Sequence, residues 1–265
     1  MLIFITKKDI SAIIALISFK NSFMKNLILV FLLFLSDITF SQKQFNYLRY
    51  VDNTVRTGVL LFNEKKNTAV YIDQMNNLKK TKIDEKPIFT VSVSGTNDFI
   101  YYKQEINKLN YTYELLKIPY FIDDTTLLMN WELSPDKKEI QGLICNKATA
   151  MFRGRKWTAW YCADIPIVYG PWKFYGLPGL MVEITEDTNR FAFVLTEIIE
   201  DTKITLPELN LKKYKQVDIK SFDQIFSDAM NLKSLSSSRD YTIEGEPYKR
   251  NGIELIYEWE EEQNK

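Results

Sequence analysis

From Tyr47 to Glu200 apolar and polar residues alternate with a period of two, interrupted by short turn-forming stretches. A strand sends successive side chains to opposite faces, so this pattern demands a sheet with one buried face. Residues 57–62 and 68–72 flank a polar turn at 63–67 and predict a hairpin. Residues 89–93 and 98–103 predict a second pair around 94–97, and 112–118 and 127–133 add two strands. Long antiparallel strands are predicted over 140–152, 156–163, 180–186 and 191–199. Pro166, Pro171 and Pro178 bar residues 164–179 from a central strand. Ser221 caps a predicted helix over 222–233, and Leu255 and Tyr257 alternate with acidic neighbours in a last strand. The expected fold class is mainly β: a curved antiparallel sheet, or half-open β-barrel, with one or two packed helices.

Composition narrows the chemistry. With no histidine, the chain lacks Ser-His-Asp and Cys-His catalysis and the commonest zinc and copper ligand sets. Nine glycines form neither a Walker loop nor a dinucleotide fingerprint. The 34 basic residues balance 34 acidic ones, so no net charge draws the chain to nucleic acid. No catalytic residue, metal ligand or cofactor is assigned from these patterns. A carboxylate-dependent hydrolase remains the alternative, with Asp123, Asp124, Glu183, Glu186, Asp187 and Asp201 as its acids. Glu183 is the sharpest of them, because it sits in an apolar strand and burial would raise its pKa or demand a cation.

The N-terminus reads as an address. Met24, Lys25 and Asn26 precede the apolar run 27–35, and small residues at Thr39 and Ser41 place a cut before Gln42. Residues 24–41 are therefore read as a signal peptide, 1–23 as upstream sequence ahead of the true start, and 42–265 as a single β-rich domain. The apolar run falls short of the roughly 20 residues that span a bilayer, so no transmembrane helix is expected in the mature chain. No cysteine follows the run before Cys145, which leaves no site for lipid attachment. The alternative is an anchor over 10–35 in a chain starting at Met1, although Lys20, Asn21 and Lys25 interrupt it. Export implies the periplasm or cell envelope, an oxidising compartment.

Arg153-Gly154 predicts a two-residue turn, with Gly154 supplying a positive φ. That turn sets Phe152 opposite Arg155, Trp160 opposite Lys147, and Cys145 opposite Cys162. The two cysteines then occupy a non-hydrogen-bonded pair, within reach of a disulfide. Two buried free thiols are the alternative, and any other turn length breaks the register.

Residues 170–181 (GPWKFYGLPGLM) combine fixed and permissive backbone with three large rings. Pro171 and Pro178 fix φ, Gly176 and Gly179 free it, and Trp172, Phe174 and Tyr175 require apolar surface. The segment is expected to clamp onto the sheet. Gly176, Leu177, Pro178, Gly179 and Leu180, with Met181, resemble the GLPGLI family of exported proteins from Gram-negative bacteria. Supporting positions run upstream through Trp131-Glu132-Leu133, Ile140-Gln141-Gly142, Cys145, Lys147-Ala148, 152–155, Ala159-Trp160-Tyr161 and Ile165-Pro166. A weaker echo is 251–255. Met181 stands where the family has isoleucine, and Cys162 lies outside the shared pattern.

The resemblance implies compartment and fold more than chemistry, since the family carries no established activity. The strand-rich layout is similar to the half-open barrels of periplasmic lipoprotein carriers (LolA-like). The expected function is that of a non-catalytic envelope protein binding a lipid or other apolar ligand, or a partner protein. A structural accessory of an outer-membrane assembly is a further alternative. Candidate binding residues are Arg153, Arg155, Trp160, Tyr161, Trp172, Phe174, Tyr175 and Glu183. Arg155, beside a tight turn, is expected to be exposed enough to bind a carboxylate or phosphate with both prongs of its guanidinium. The alternative, which the pattern favours, is a hairpin-turn arginine paired with a neighbouring glutamate. Gly154, Pro171 and 176–180 form the structural motif.

Overall fold

The computed structural model describes residues 42–74, 99–105, 108–125, 129–200, 209–236 and 247–261. All of them belong to one compact unit, Ser41–Lys265. The expected signal peptide, the upstream segment and the strand at 89–93 lie outside the described residues.

Among the described residues twelve strands form one sheet. They are β1 (Gln42–Val51), β2 (Thr54–Asn63), β3 (Thr68–Gln74), β4 (Phe99–Glu105), β5 (Lys108–Leu115) and β6 (Ile118–Asp123). Then follow β7 (Glu132–Ile140), β8 (Leu143–Phe152), β9 (Arg155–Cys162), β10 (Leu180–Glu186), β11 (Phe191–Ile199) and β12 (Lys215–Asp218). Their order is β12-β6-β5-β4-β3-β2-β1-β11-β10-β9-β8-β7. Every neighbouring pair is antiparallel except β12 with β6.

The sheet curls. Eight strand steps separate β6 from β9 in that order, roughly 38 Å if the sheet were flat. Yet Arg153, in the β8–β9 turn, places Nη2 2.7 Å from Oδ1 of Asp124, the residue after β6. Only a strongly bent sheet brings those ends together. Among the described residues its edges, β12 and β7, do not pair with each other, and the barrel is half open.

The inner face is written by register. Phe45, Leu60, Tyr71, Tyr101, Tyr111 and Ile122 are successive cross-strand partners from β1 to β6, and all six are buried. The Tyr101 and Tyr111 rings stack at 5.4 Å. Gly58 leaves space in this face, because a Cβ there would lie 1.9 Å from Tyr71 Oη.

Turns differ from expectation where the chain takes left-handed backbone at residues other than glycine. Leu116 (φ 51°) and Lys117 (φ 65°) end β5 and start β6 inside a stretch expected to be one strand. Gln141 (φ 53°) and Gly142 (φ 80°) split the long strand expected over 140–152 into β7 and β8. Two consecutive positive φ angles match the right-handed twist of a tight hairpin, which a type I or II turn would splay. Residues 129–131 are not strand, and β7 begins at Glu132.

Helix α1 (Ile219–Ser236) starts earlier than predicted. Asp218, not Ser221, caps it: Asp218 accepts from Ser221 N at 2.9 Å and from Ser221 Oγ at 2.6 Å. The predicted last strand is instead an irregular run leading into a short helix, α2 (Glu258–Glu261). Among the described residues no helix is long and apolar enough to cross a membrane.

Candidate functional site

The Gly-Pro segment between β9 and β10 lies on the inner face. Its backbone is tied by Gly176 N to Val168 O (2.8 Å), Gly170 N to Phe174 O (3.0 Å) and Leu180 N to Ile165 O (2.8 Å). Gly176 has φ 96°, and a Cβ on Gly179 would sit 2.3 Å from the Cys162 carbonyl oxygen. These two positions therefore require glycine for different reasons, one conformational and one spatial. The segment drives Trp172 and Phe174 into the core. Phe174 meets Trp157 at 4.8 Å and Trp172 at 5.1 Å, while Trp172 stacks on Phe193 at 6.5 Å.

Lys173 points the other way, into an ionic cluster beneath the curl. Its Nζ donates to Asp124 Oδ2 at 2.6 Å and to Glu254 Oε1 at 2.8 Å, and lies 4.5 Å from the centre of the Tyr111 ring. Arg153 completes the cluster through Asp124, Glu254 and Glu258. Burial alone would raise the Asp124 carboxyl, but Lys173 and Arg153 beside it hold it below the usual carboxylate range. Burial works against the charged Arg153 too, and Glu254 and Asp124 overcome it. Tyr111 is pushed up, first by burial and then by Asp124.

This cluster fastens the C-terminal segment across the mouth of the half-barrel. Arg155 donates to the carbonyl oxygens of Gly252 (2.6 Å) and Ile253 (3.1 Å), and pairs with Glu186 at 2.6 Å. Arg190 donates to Asn251 O at 3.1 Å, and Leu255 N donates to Arg153 O at 2.9 Å. Under the segment lies a cavity of about 260 Å³. Its walls are Arg49 and Arg56 from β1 and β2, tyrosines 101, 111 and 113 from β4 and β5, and Trp172 and Lys173 from the Gly-Pro segment. Helix α1 contributes Phe222, Asp223 and Phe226, and the C-terminal segment closes the space with Tyr248, Arg250, Glu254 and Tyr257.

The sequence-predicted binding residues divide sharply on this map. Trp172 lines the cavity. Phe174, Tyr175 and Tyr161 are buried in the core, and the Tyr175 carbonyl accepts from Trp131 Nε1 at 2.9 Å. Arg153 and Arg155 are 4% and 5% exposed, so the expectation of an accessible Arg155 is corrected: the C-terminal segment covers it. Trp160 and Glu183 are cross-strand partners turned away from the core rings, where Lys138 lies over the Trp160 ring at 4.6 Å and pairs with Glu183 at 3.1 Å. Cys145 and Cys162 are joined by a disulfide, with Cα atoms 4.4 Å apart.

Arg49, Arg56 and the C-terminal ring and charge set were missed. A signal for the first two exists: Arg49 follows Tyr47, and Arg56 precedes Gly58, on the inward phase of the alternation. A charge on that phase marks either a pair or a site.

A family model described as a protein of unknown function (Porph_ging) matches residues 153–183. That stretch runs from the clamp arginines through the Gly-Pro segment to β10. No curated protein matches the chain. Two solved structures of PNGF-II, in the P21 and C2 space groups, are similar in fold, each with a TM-score of 0.50. Identity is 11% and 12%, each comparison covers 71% of this chain, and the chain spans about a third of their length (34% and 33%).

Proposed function

We propose that the chain is an exported, non-catalytic envelope protein of the GLPGLI type that binds a small ligand in the cavity under its C-terminal segment. The carrying observation is the construction of that cavity. The stretch matched by the family model builds the segment that sets Trp172 and Lys173 in the wall and the arginine clamp that holds the cover. At about 260 Å³ the space stands just below the usual range for small-molecule sites, which favours a compact ligand over a whole lipid. Among the described residues eight aromatic side chains line it beside six charged ones, which supports a ligand with an apolar body and polar groups.

The test is native mass spectrometry of the protein isolated from its own envelope, with N-terminal sequencing of the same sample. The expected result is Gln42 at the N-terminus and a small bound mass released on unfolding. A Phe226→Trp variant, which fills the cavity, loses that mass. Retention of the bound mass by the filled variant refutes the placement, and a ligand-free native protein refutes the binding function.

A further inference from the structure

The sequence contains a single Asn-Gly step, Asn251-Gly252, and the fold sets it in the C-terminal segment that covers the cavity. Both residues are exposed. A Cβ on Gly252 would meet nothing within 4 Å, so no neighbour crowds the backbone there. Among the described residues neither the Gly252 N–H nor the Asn251 side-chain amide has a hydrogen-bond partner.

The carbonyls on either side of that nitrogen are both held by arginine. Arg190 Nη1 donates to Asn251 O at 3.1 Å, and Arg155 Nη2 donates to Gly252 O at 2.6 Å. Asp52 anchors the rest of the Arg190 guanidinium, taking Nε at 2.7 Å and Nη2 at 3.2 Å. The Asn251 carbonyl and the Gly252 nitrogen belong to one amide. A cationic donor on the oxygen stabilises the anion left when the nitrogen loses its proton, which makes that nitrogen a better nucleophile.

We infer that Asn251 is a self-modification site: in the folded protein its side-chain amide becomes a carboxylate by way of a cyclic imide, and Arg190 activates the step. The Gly252 nitrogen attacks Cγ of Asn251. The N–Cγ bond forms, the Cγ–Nδ2 bond breaks, and the Gly252 proton passes through solvent to the departing ammonia. Water then opens the ring, giving its hydroxyl to one imide carbonyl carbon and its hydrogen to the nitrogen. Opening at Cγ yields aspartate. Opening at the Asn251 backbone carbonyl, the one that Arg190 polarises, yields isoaspartate. That product routes the backbone through Cγ, one carbon longer, and makes the oxygen held by Arg190 part of a carboxylate. The added length falls between the two oxygens that Arg190 and Arg155 hold, so the cover over the cavity loosens. Nothing in this chemistry depends on what the cavity binds.

The test incubates the folded full chain at mildly alkaline pH and follows Asn251 by peptide mapping, with aspartyl and isoaspartyl forms resolved against synthetic peptides. Asn251 is expected to convert ahead of every other asparagine, with isoaspartate in excess. Gly252→Ala fits without clash, and is expected to slow conversion at least about tenfold because its Cβ crowds the attacking nitrogen. Arg190→Gln loses an exposed ion pair of little weight in folding, and is expected to slow conversion about threefold. A purely structural Arg190 predicts the opposite sign, since a freer segment cyclises faster. Hydrogen exchange across 247–257 is expected to be faster in the isoaspartyl fraction than in the unmodified one. An Asn251 that stays intact in the folded protein while the urea-unfolded chain converts overturns the site. Unchanged or faster conversion in Arg190→Gln overturns the activation, and equal exchange in the two fractions overturns the loosening.

Discussion

Replacing Lys173 by Met should cost more stability than neutralising the carboxylate it contacts. The cluster holds two cations, Arg153 and Lys173, against three carboxylates, Asp124, Glu254 and Glu258. Asp124→Asn brings it to balance and keeps the side-chain volume, so its cost is that of a few weakened hydrogen bonds, about 1–3 kcal/mol. Lys173→Met leaves Asp124 and Glu254 with Arg153 as the cation they share in this cluster, and the Asp124 side chain is fully buried. Stripping one partner from a buried pair costs about 3–5 kcal/mol. Urea unfolding at pH 7, extrapolated linearly, measures both.

The pH dependence gives an independent check. The Asp124 carboxyl is lowered in the folded state, so the stability it contributes is fully present above its unfolded value near 4 and is lost as pH falls through the lower folded value. Burial is the largest influence on that carboxyl and acts upward; without Lys173 the opposing pull weakens. In Lys173→Met the acid-side loss should therefore flatten. An Asp124→Asn variant less stable than Lys173→Met, or an unchanged acid limb in the latter, would refute the charge balance.

Other substitutions probe the frame. Gly179→Ala drives a methyl to 2.3 Å from a backbone carbonyl and should lower stability by about 3 kcal/mol at the upper end of overpacking costs, read as a fall in the urea midpoint. Asp218→Ala removes the cap of α1 and should cost about 1 kcal/mol, seen by the same assay. Reducing the Cys145–Cys162 bridge, which closes a sequence separation of 17, should lower unfolding stability by about 3 kcal/mol in the chain-entropy model, and non-reducing peptide mapping should recover the linked pair.

Much of the sheet was legible because register is a local matter. One two-residue turn at Arg153-Gly154 places every partner from Phe152–Arg155 to Asn146–Tyr161, and period-two alternation marks which side is buried. Turns at Leu116-Lys117 and Gln141-Gly142 escaped, since the first has no glycine and the second sits within an otherwise continuous strand pattern. The site was less legible because its walls come from distant parts of the chain. Arg155 looks like an exposed hairpin residue until the Gly252 carbonyl, 97 residues away, lies over it. Leu255 and Tyr257 alternate like a strand, yet clamp contacts rather than a neighbouring strand hold that run. Pattern reports periodicity; it does not report what arrives from elsewhere to cover a face.

The arginine clamp also sets an order of assembly. Arg153 follows Asp124 by 29 residues but precedes Glu254 by 101, so during synthesis one carboxylate of the cluster is already present while the other emerges much later. Until then Asp124 alone faces both Arg153 and Lys173 in this cluster, and the excess positive charge favours water over the half-closed sheet. Final closure therefore awaits the tail, and a prematurely terminated product lacking it would remain a loosened, protease-sensitive shell. The fold inspects its own completeness.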